Sequence, residues 1–164
     1  MRAGKNSKSG VALMLAGALC VTGIVQADTE GQDVYRSGTQ GAFSGAPELF
    51  TGDVQVEMIF PENDVANYSA AYVTFEPGAR TAWHEHPAGQ HMIMISGVGL
   101  TGTRDGNVVS FKEGDAVWCP PDVDHWHGAT PDQAMTHLVV TASKDGQNVI
   151  WKEKVSDEHY QPAE

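Results

Sequence analysis

Residues 78–90 read GARTAWHEHPAGQ, and this stretch decides how the rest of the chain is interpreted. Side chains alternate between the two faces of a β-strand, so His84 and His86 are expected to point to the same side. The Pro-Ala-Gly that follows is typical of a tight turn, which would return the chain and bring Gln90 to the same point. A third imidazole is available downstream at His125. The pattern predicts that His84, His86, Gln90 and His125 bind one metal ion.

Short alternating or apolar runs separated by turns with Gly or Pro predict an all-β domain. The expected strands are 54–60, 68–75, 81–86, 92–95, 100–104, 108–111, 116–118 and 135–141. Asp105-Gly106 is the dipeptide that favours a two-residue hairpin turn, and residues 156–160 are compatible with one helical turn. Metal ligands on several strands require the sheet to curve around a point, which favours a β-barrel over a flat sandwich. We assign the domain to residues 49–160.

The N-terminal residues differ in character from this domain. Arg2, Lys5 and Lys8 precede an apolar run at 11–25 that ends in Gln26-Ala27. This pattern predicts a secretory signal peptide over residues 1–27, because the run is shorter than the roughly 20 apolar residues of a membrane-spanning helix. The expected location is therefore periplasmic or secreted. Residues 28–48 lack periodicity and are expected to form a mobile lead-in.

The net charge limits the partners that the chain can bind, and the cysteine content limits the disulfides that it can form. Cleavage after Ala27 removes three positive charges and no negative ones, which changes the formal net charge from −11 to −14. A surface this acidic repels phosphate backbones and anionic lipid headgroups, which argues against nucleic-acid and membrane partners for the mature chain. Cys119 alone remains after cleavage, so no internal disulfide can form. Its position in an apolar strand favours a buried, inert thiol.

Two groups of residues resemble the two motifs of the cupins. The first group is Gly78, His84, His86, Gln90 and Gly97, and the second is Gly114, Pro120, Asp122 and His125. The match covers nearly the whole of residues 49–160. Residues 75–90, 126–129 and 135–138 look most like the small single-domain cupins related to carboxymuconolactone decarboxylases. Some bacterial members of that group act as manganese-dependent hydroxynitrile lyases.

The resemblance implies a small cupin β-barrel of the jelly-roll type that binds Mn²⁺ or Fe²⁺, with Zn²⁺ and Ni²⁺ as alternatives. It also implies a homodimer or homotetramer. Two positions depart from the usual cupin motifs. Gln90 stands where most cupins have Glu, although the closer relatives share the Gln, and Asp122 stands where the second motif has Gly.

The predicted ligand set suits catalysis. Three neutral imidazoles and one amide leave the charge of a divalent ion uncompensated, so the site should bind the ion less tightly but act as a stronger Lewis acid. Four protein ligands on an octahedral ion leave room for substrate, which is the arrangement of a catalytic site rather than a closed structural one.

Further residues are candidates for contacts with a small-molecule substrate. His137 shares a strand face with Thr141, and either acts as a general base or is a hydrogen-bonded wall residue. His127 either lines the mouth of the site or replaces His125 as a ligand. Thr141 is a candidate polar contact, while Met94 and Trp126 are candidates for the apolar wall of the substrate site.

Three functions remain open from the sequence. The first is a metal-dependent lyase with His137 as the general base, acting on a small oxygenated substrate. The second is an iron-dependent dioxygenase, and the third is metal-dependent binding of a small molecule without catalysis. The fold and motifs do not choose among them, because one fold hosts many chemistries.

Overall fold

The computed structural model describes residues 31–160 of the 164-residue chain. The predicted signal peptide, residues 1–27, lies outside this range. Within the described residues the compact unit that begins at Val34 contains strands and one short helix. These elements are β1 (Ala42–Ser44), β2 (Phe50–Thr51), β3 (Val54–Phe60), β4 (Tyr68–Phe75), β5 (Arg80–Thr81), β6 (His84–Glu85), β7 (Gln90–Ser96), β8 (Val98–Thr103), β9 (Val108–Lys112), β10 (Ala116–Cys119), β11 (His125–Ala129), β12 (Met135–Ala142), β13 (Ile150–Trp151) and α1 (Asp157–Tyr160).

The strands form two antiparallel sheets that curl into a β-barrel. One sheet has the order β1-β3-β4-β12-β7-β10. The other follows β13-β6-β11-β5-β2, with β8 paired to β11 and β9 paired to β8. Buried and less buried residues alternate along β12, which is the pattern of a strand with one face in the core. The all-β prediction is confirmed.

Most strand predictions agree closely with the structure, but the segment predicted to be a mobile lead-in contains a strand. β3 and β4 have the predicted bounds, and the helical turn near the C-terminus is present as α1. By contrast, β1 lies within the lead-in expected at residues 28–48 and pairs with β3. Its three residues are too few to show a period of two, so its strand character comes from its partner.

The segment that carries the paired histidines is divided into two short strands. The sequence predicts one strand over residues 81–86, but β5 ends at Thr81 and β6 begins at His84. Between them, Ala82 donates its amide hydrogen to the Leu49 carbonyl, and Trp83 donates to the Glu153 carbonyl. The chain therefore exchanges backbone partners just before the first histidine, and β6 pairs with both β11 and β13.

The loop ahead of His125 contains Asp122, which stands where the second sequence motif has Gly. Asp122 has a φ of 60°, in the left-handed region that glycine adopts freely. Aspartate tolerates this conformation better than most other residues, because its short side chain forms local hydrogen bonds. The loop thus takes the backbone conformation that glycine favours, although Asp122 occupies the position.

Two apolar clusters flank the histidines. The larger packs between the sheets around Phe75, Met92 and Met135. The smaller contains Trp83 and Trp126 and packs against the C-terminal Tyr160. Among the described residues, no helix has the length and apolar character needed to cross a bilayer.

Candidate metal centre

The four predicted ligands lie together on three short strand ends. His84 begins β6, His86 follows its last residue, Gln90 begins β7 and His125 begins β11. All four side chains are buried. The ring centroids are 5.1 Å apart for His84 and His86, 4.3 Å for His84 and His125, and 5.4 Å for His86 and His125. The β-sheet register pairs His125 directly with His84, so strand pairing itself brings the imidazoles together.

Backbone carbonyls fix the tautomer of each of these imidazoles. Nδ1 of His84 lies 3.0 Å from the Ala82 oxygen, Nδ1 of His86 lies 2.5 Å from the Asn148 oxygen, and Nδ1 of His125 lies 3.0 Å from the Val123 oxygen. A carbonyl oxygen accepts hydrogen bonds and cannot donate, so each Nδ1 carries the proton. In a neutral ring, Nε2 then has the free lone pair that a metal ion requires.

The amide of Gln90 is oriented in the same way. Its Nε2 donates to Thr141 Oγ1 at 2.9 Å, which directs Oε1 as the remaining acceptor. Within the described part of the chain, the buried side-chain atoms without a hydrogen-bond partner include Nε2 of His86, Nε2 of His125 and Oε1 of Gln90. Buried polar atoms are normally paired, and these three are the atoms through which the predicted ligands would bind. The donor set therefore fits a divalent metal ion.

His127 is a second candidate for the third imidazole. The ligand atoms of His84, His125 and His127 all lie within 4.8 Å of one another. His127 Nδ1 is 3.0 Å from Nε2 of His137, which leaves its Nε2 free, as in the other three rings. The structure thus leaves two sets that share His84 and His125, and the unpaired Nε2 of His86 favours the set predicted from the sequence.

Burial keeps the imidazoles neutral. It lowers the pKa of His86 to about 4, against smaller raising effects of the Asn148 carbonyl and the Gln90 side chain. Burial is also the largest cause of the lowered pKa values of His84, His125 and His127, and it lowers that of His137 to about 4. At neutral pH these rings are unprotonated and competent to bind a cation.

An apolar cavity of about 370 Å³ opens beside the histidines. His84, His86, Gln90, His127 and Thr141 line one part of it. The remaining wall is mostly apolar and is contributed by β1, β3, β4, β12 and the segments around Leu49 and Trp151; it includes Phe43, Phe50, Val56, Met58, Ala71, Val73 and Val139. This composition suits a small, largely apolar molecule with one or two polar atoms directed at the histidines.

The predicted substrate contacts divide into two groups. His127 and Thr141 line the cavity, as expected. Met94 and Trp126 do not: Met94 packs in the large core, and Trp126 packs against Trp83 in the smaller cluster. For Trp126 the reason is the period of two, since it lies between His125 and His127 on β11 and faces the opposite side.

His137 is completely buried and does not line the cavity. Its Nε2 lies 3.0 Å from Nδ1 of His127, which does line the cavity, and its role as a general base stays a prediction. Sequence reasoning missed two contributors to this region, Asn148 and Trp151, which approach His86 and His84 from the C-terminal segment. No local signal marks them, because their contacts span more than sixty positions along the chain.

Comparison with known proteins decides the family. The sequence profile of the family described as "Cupin domain" matches residues 71–141. A protein of Granulicella tundricola named (R)-mandelonitrile lyase is 45% identical over 128 residues, which cover 78% of this chain and 98% of the relative. The chain belongs to the cupin family. This finding confirms the resemblance drawn from the motifs.

Solved structures agree with that assignment. A cupin-like protein from Thermotoga maritima superposes on this cupin with a TM-score of 0.69 at 38% identity, covering 79% of this chain and 95% of the other. A cupin 2 conserved barrel domain protein from Rhodopseudomonas palustris has a TM-score of 0.53 at 21% identity, covering 66% and 75%. The second likeness supports the fold alone.

Thr141→Val should weaken metal binding by about tenfold, in the range typical of groups that orient metal ligands. The substitution removes the acceptor that holds the Gln90 amide. Isothermal titration of metal-free protein with MnCl₂ measures the affinity. The matched control is Thr136→Val on the same strand, whose hydroxyl bonds to Thr74 at 2.8 Å and which should bind like the wild type. Equal affinities for all three proteins would contradict the role of Thr141.

The metal-free protein should lose stability as the pH falls from about 6.5 toward 4. His86 and His137 have pKa values of about 4 in the folded chain and an ordinary value of 6.5. Between these values the unfolded chain binds more protons than the native chain, so acid favours unfolding. Thermal midpoints measured across this range test the prediction. His137→Phe should give a shallower dependence than the exposed control His91→Ala, and identical slopes would exclude the contribution of His137.

Proposed function

We propose that this cupin is a divalent-metal-dependent lyase that cleaves a carbon–carbon bond in a small α-hydroxynitrile. The observation that carries the proposal is the set of buried, unpaired donor atoms on His86, Gln90 and His125, since His86 and Gln90 also line an apolar cavity. The relative named (R)-mandelonitrile lyase supports the substrate class, since it is similar over nearly its whole length.

His84, His86, Gln90 and His125 would hold the metal, with Mn²⁺ or Fe²⁺ as the expected ion. A bound divalent ion supplies Lewis acidity toward a substrate oxygen. The charge-neutral donors leave that acidity undiminished, because Gln90 brings no negative charge to the ion as a carboxylate would. The apolar wall, which includes Phe50 and Val139, would hold the organic part of the substrate and exclude water from it.

The His127–His137 pair would move the proton. When His137 Nε2 accepts the hydrogen of His127 Nδ1, His127 presents an unprotonated Nε2. That nitrogen takes the proton of the substrate hydroxyl, the C–C bond to the nitrile carbon breaks with its electron pair on cyanide, and the hydroxyl-bearing carbon becomes a carbonyl. His127 then returns the proton to cyanide, which leaves as hydrogen cyanide. In this scheme His127 is the general base, in place of the His137 predicted from the sequence, and His137 is a positioning residue that acts through His127.

The direct test is an anaerobic assay of manganese-loaded protein with mandelonitrile, in which benzaldehyde and cyanide are both measured. We expect both products in equal amounts. Oxygen-dependent turnover would favour the dioxygenase alternative. Substrate binding without products would favour the non-catalytic one.

Variants separate metal binding from proton transfer. His84→Ala should lose both metal and turnover. His137→Ala should retain the metal and lose turnover by at least about tenfold, because loss of general acid–base function typically costs 10²–10⁴-fold and this residue acts indirectly. His91→Ala, exposed on β7, is the matched control and should match the wild type. Wild-type turnover in His137→Ala would remove the pair from the mechanism.

A further inference from the structure

The C-terminal segment 148–153, here called the strap, lies next to the predicted metal ligands His84 and His86. Its strand β13 pairs with β6, in the register Ile150 to Glu85 and Trp151 to His84. At Trp83, the residue immediately before His84, the Lys152 amide donates to the Trp83 carbonyl at 2.8 Å, and the Trp83 amide donates to the Glu153 carbonyl at 2.9 Å. The strap is therefore joined by its backbone to the strand that begins the site.

The strap also contacts the ligand side chains. The Asn148 carbonyl accepts from His86 Nδ1 at 2.5 Å, and the Trp151 ring lies 4.9 Å from that of His84. These contacts set the orientation of two of the imidazoles. They do not reach His125, whose position depends on the loop that precedes β11.

Lys152 is the residue that connects the two ligand-bearing segments. Its Nζ donates to Glu85 Oε2 at 2.6 Å and also to Asp124 Oδ1. Glu85 lies between His84 and His86, and Asp124 immediately precedes His125. The three side chains are partly exposed to solvent, with exposed fractions of 29%, 18% and 20% for Lys152, Glu85 and Asp124.

A second basic residue extends this connection. Arg104 donates to Asp124 Oδ2 at 2.9 Å and to Glu153 Oε1 at 2.6 Å. Its guanidinium also lies 4.0 Å from the centre of the Trp83 ring, beside the first ligand. Both carboxylate oxygens of Asp124 thus accept hydrogen bonds, which restricts the position of the segment that carries His125.

We propose that Lys152 is a positioning residue for the metal site, which holds the His84–His86 segment and the His125 segment at the separation that one metal ion requires. This inference rests on the metal ligands of the proposed function. Ion pairs at this exposure contribute little to the free energy of unfolding, so the main effect is on ligand placement and not on the fold.

Positioning and simple charge effects predict opposite results. Removing the positive charge of Lys152 leaves Glu85 without its ion pair and Asp124 paired with Arg104 alone, and the added negative field would attract a cation more strongly. If Lys152 positions the ligands, its removal weakens binding despite that added attraction. Removing either carboxylate weakens binding under both explanations, so the lysine variant discriminates between them.

The experiment titrates metal-free protein with Mn²⁺ by calorimetry and records the electron paramagnetic resonance spectrum of the bound ion. Lys152→Met should bind Mn²⁺ about 10- to 100-fold more weakly, with an altered spectrum and a nearly unchanged thermal midpoint without metal. Lys152→Arg, which keeps the charge and the donors, should recover most of the affinity. Lys154→Met is the matched control, because Lys154 bonds to the carbonyls of Pro47 and Phe50 and not to the ligand segments.

Each outcome decides the proposal. Unchanged or tighter binding in Lys152→Met would overturn it, and so would an equal loss in Lys154→Met. If Lys152→Met does not fold, Glu85→Gln removes the same contact and the spectrum decides: an altered spectrum of bound Mn²⁺ supports the proposal, and a wild-type spectrum would overturn it whatever the affinity. Failure of the wild-type protein to bind Mn²⁺ would instead refute the metal site of the proposed function.

Discussion

The predicted metal site depends on how the polar atoms of its side chains are paired: in His86, Gln90 and His125, the protein provides a hydrogen-bond partner for one polar atom and leaves the other buried without one. Backbone carbonyls take the Nδ1 hydrogens of His84, His86 and His125, and Thr141 takes the amide hydrogen of Gln90. Each buried polar atom left unpaired costs about 1–3 kcal/mol. A fold that accepts this cost several times in one place is organised to receive a ligand, and the barrel supplies the rigid strands that hold it.

The strand arrangement explains why the donors meet. The register places His125 opposite His84 in one sheet, and Thr141 opposite Gln90 in the other. Cavity, metal donors and the His127–His137 pair thus all depend on short strands whose partners are distant in sequence. The C-terminal strap contacts His84 and His86. Residues that follow the last long strand, β12, therefore help to position a site whose donors all precede that strand in the sequence.

Local sequence patterns predict the parts of this protein that depend on local geometry. The period of two predicts β3, β4 and the common direction of His84 and His86, and motif spacing locates Gln90 and His125. The same period explains why Trp126 faces away from the cavity. Features that depend on distant partners were not predictable: the pairing of β1 with β3, the interruption at Trp83, the bond between His127 and His137, and the contacts of Asn148 and Lys152.

The central claim is that one cation binds to His84, His86, Gln90 and His125. The most direct measurement is anomalous diffraction at the manganese absorption edge from crystals soaked in MnCl₂. The account predicts one strong peak at bonding distance from Nε2 of the three histidines and from Oε1 of Gln90. A peak bound by His127 in place of His86, a peak elsewhere, or no peak at a saturating concentration would contradict it.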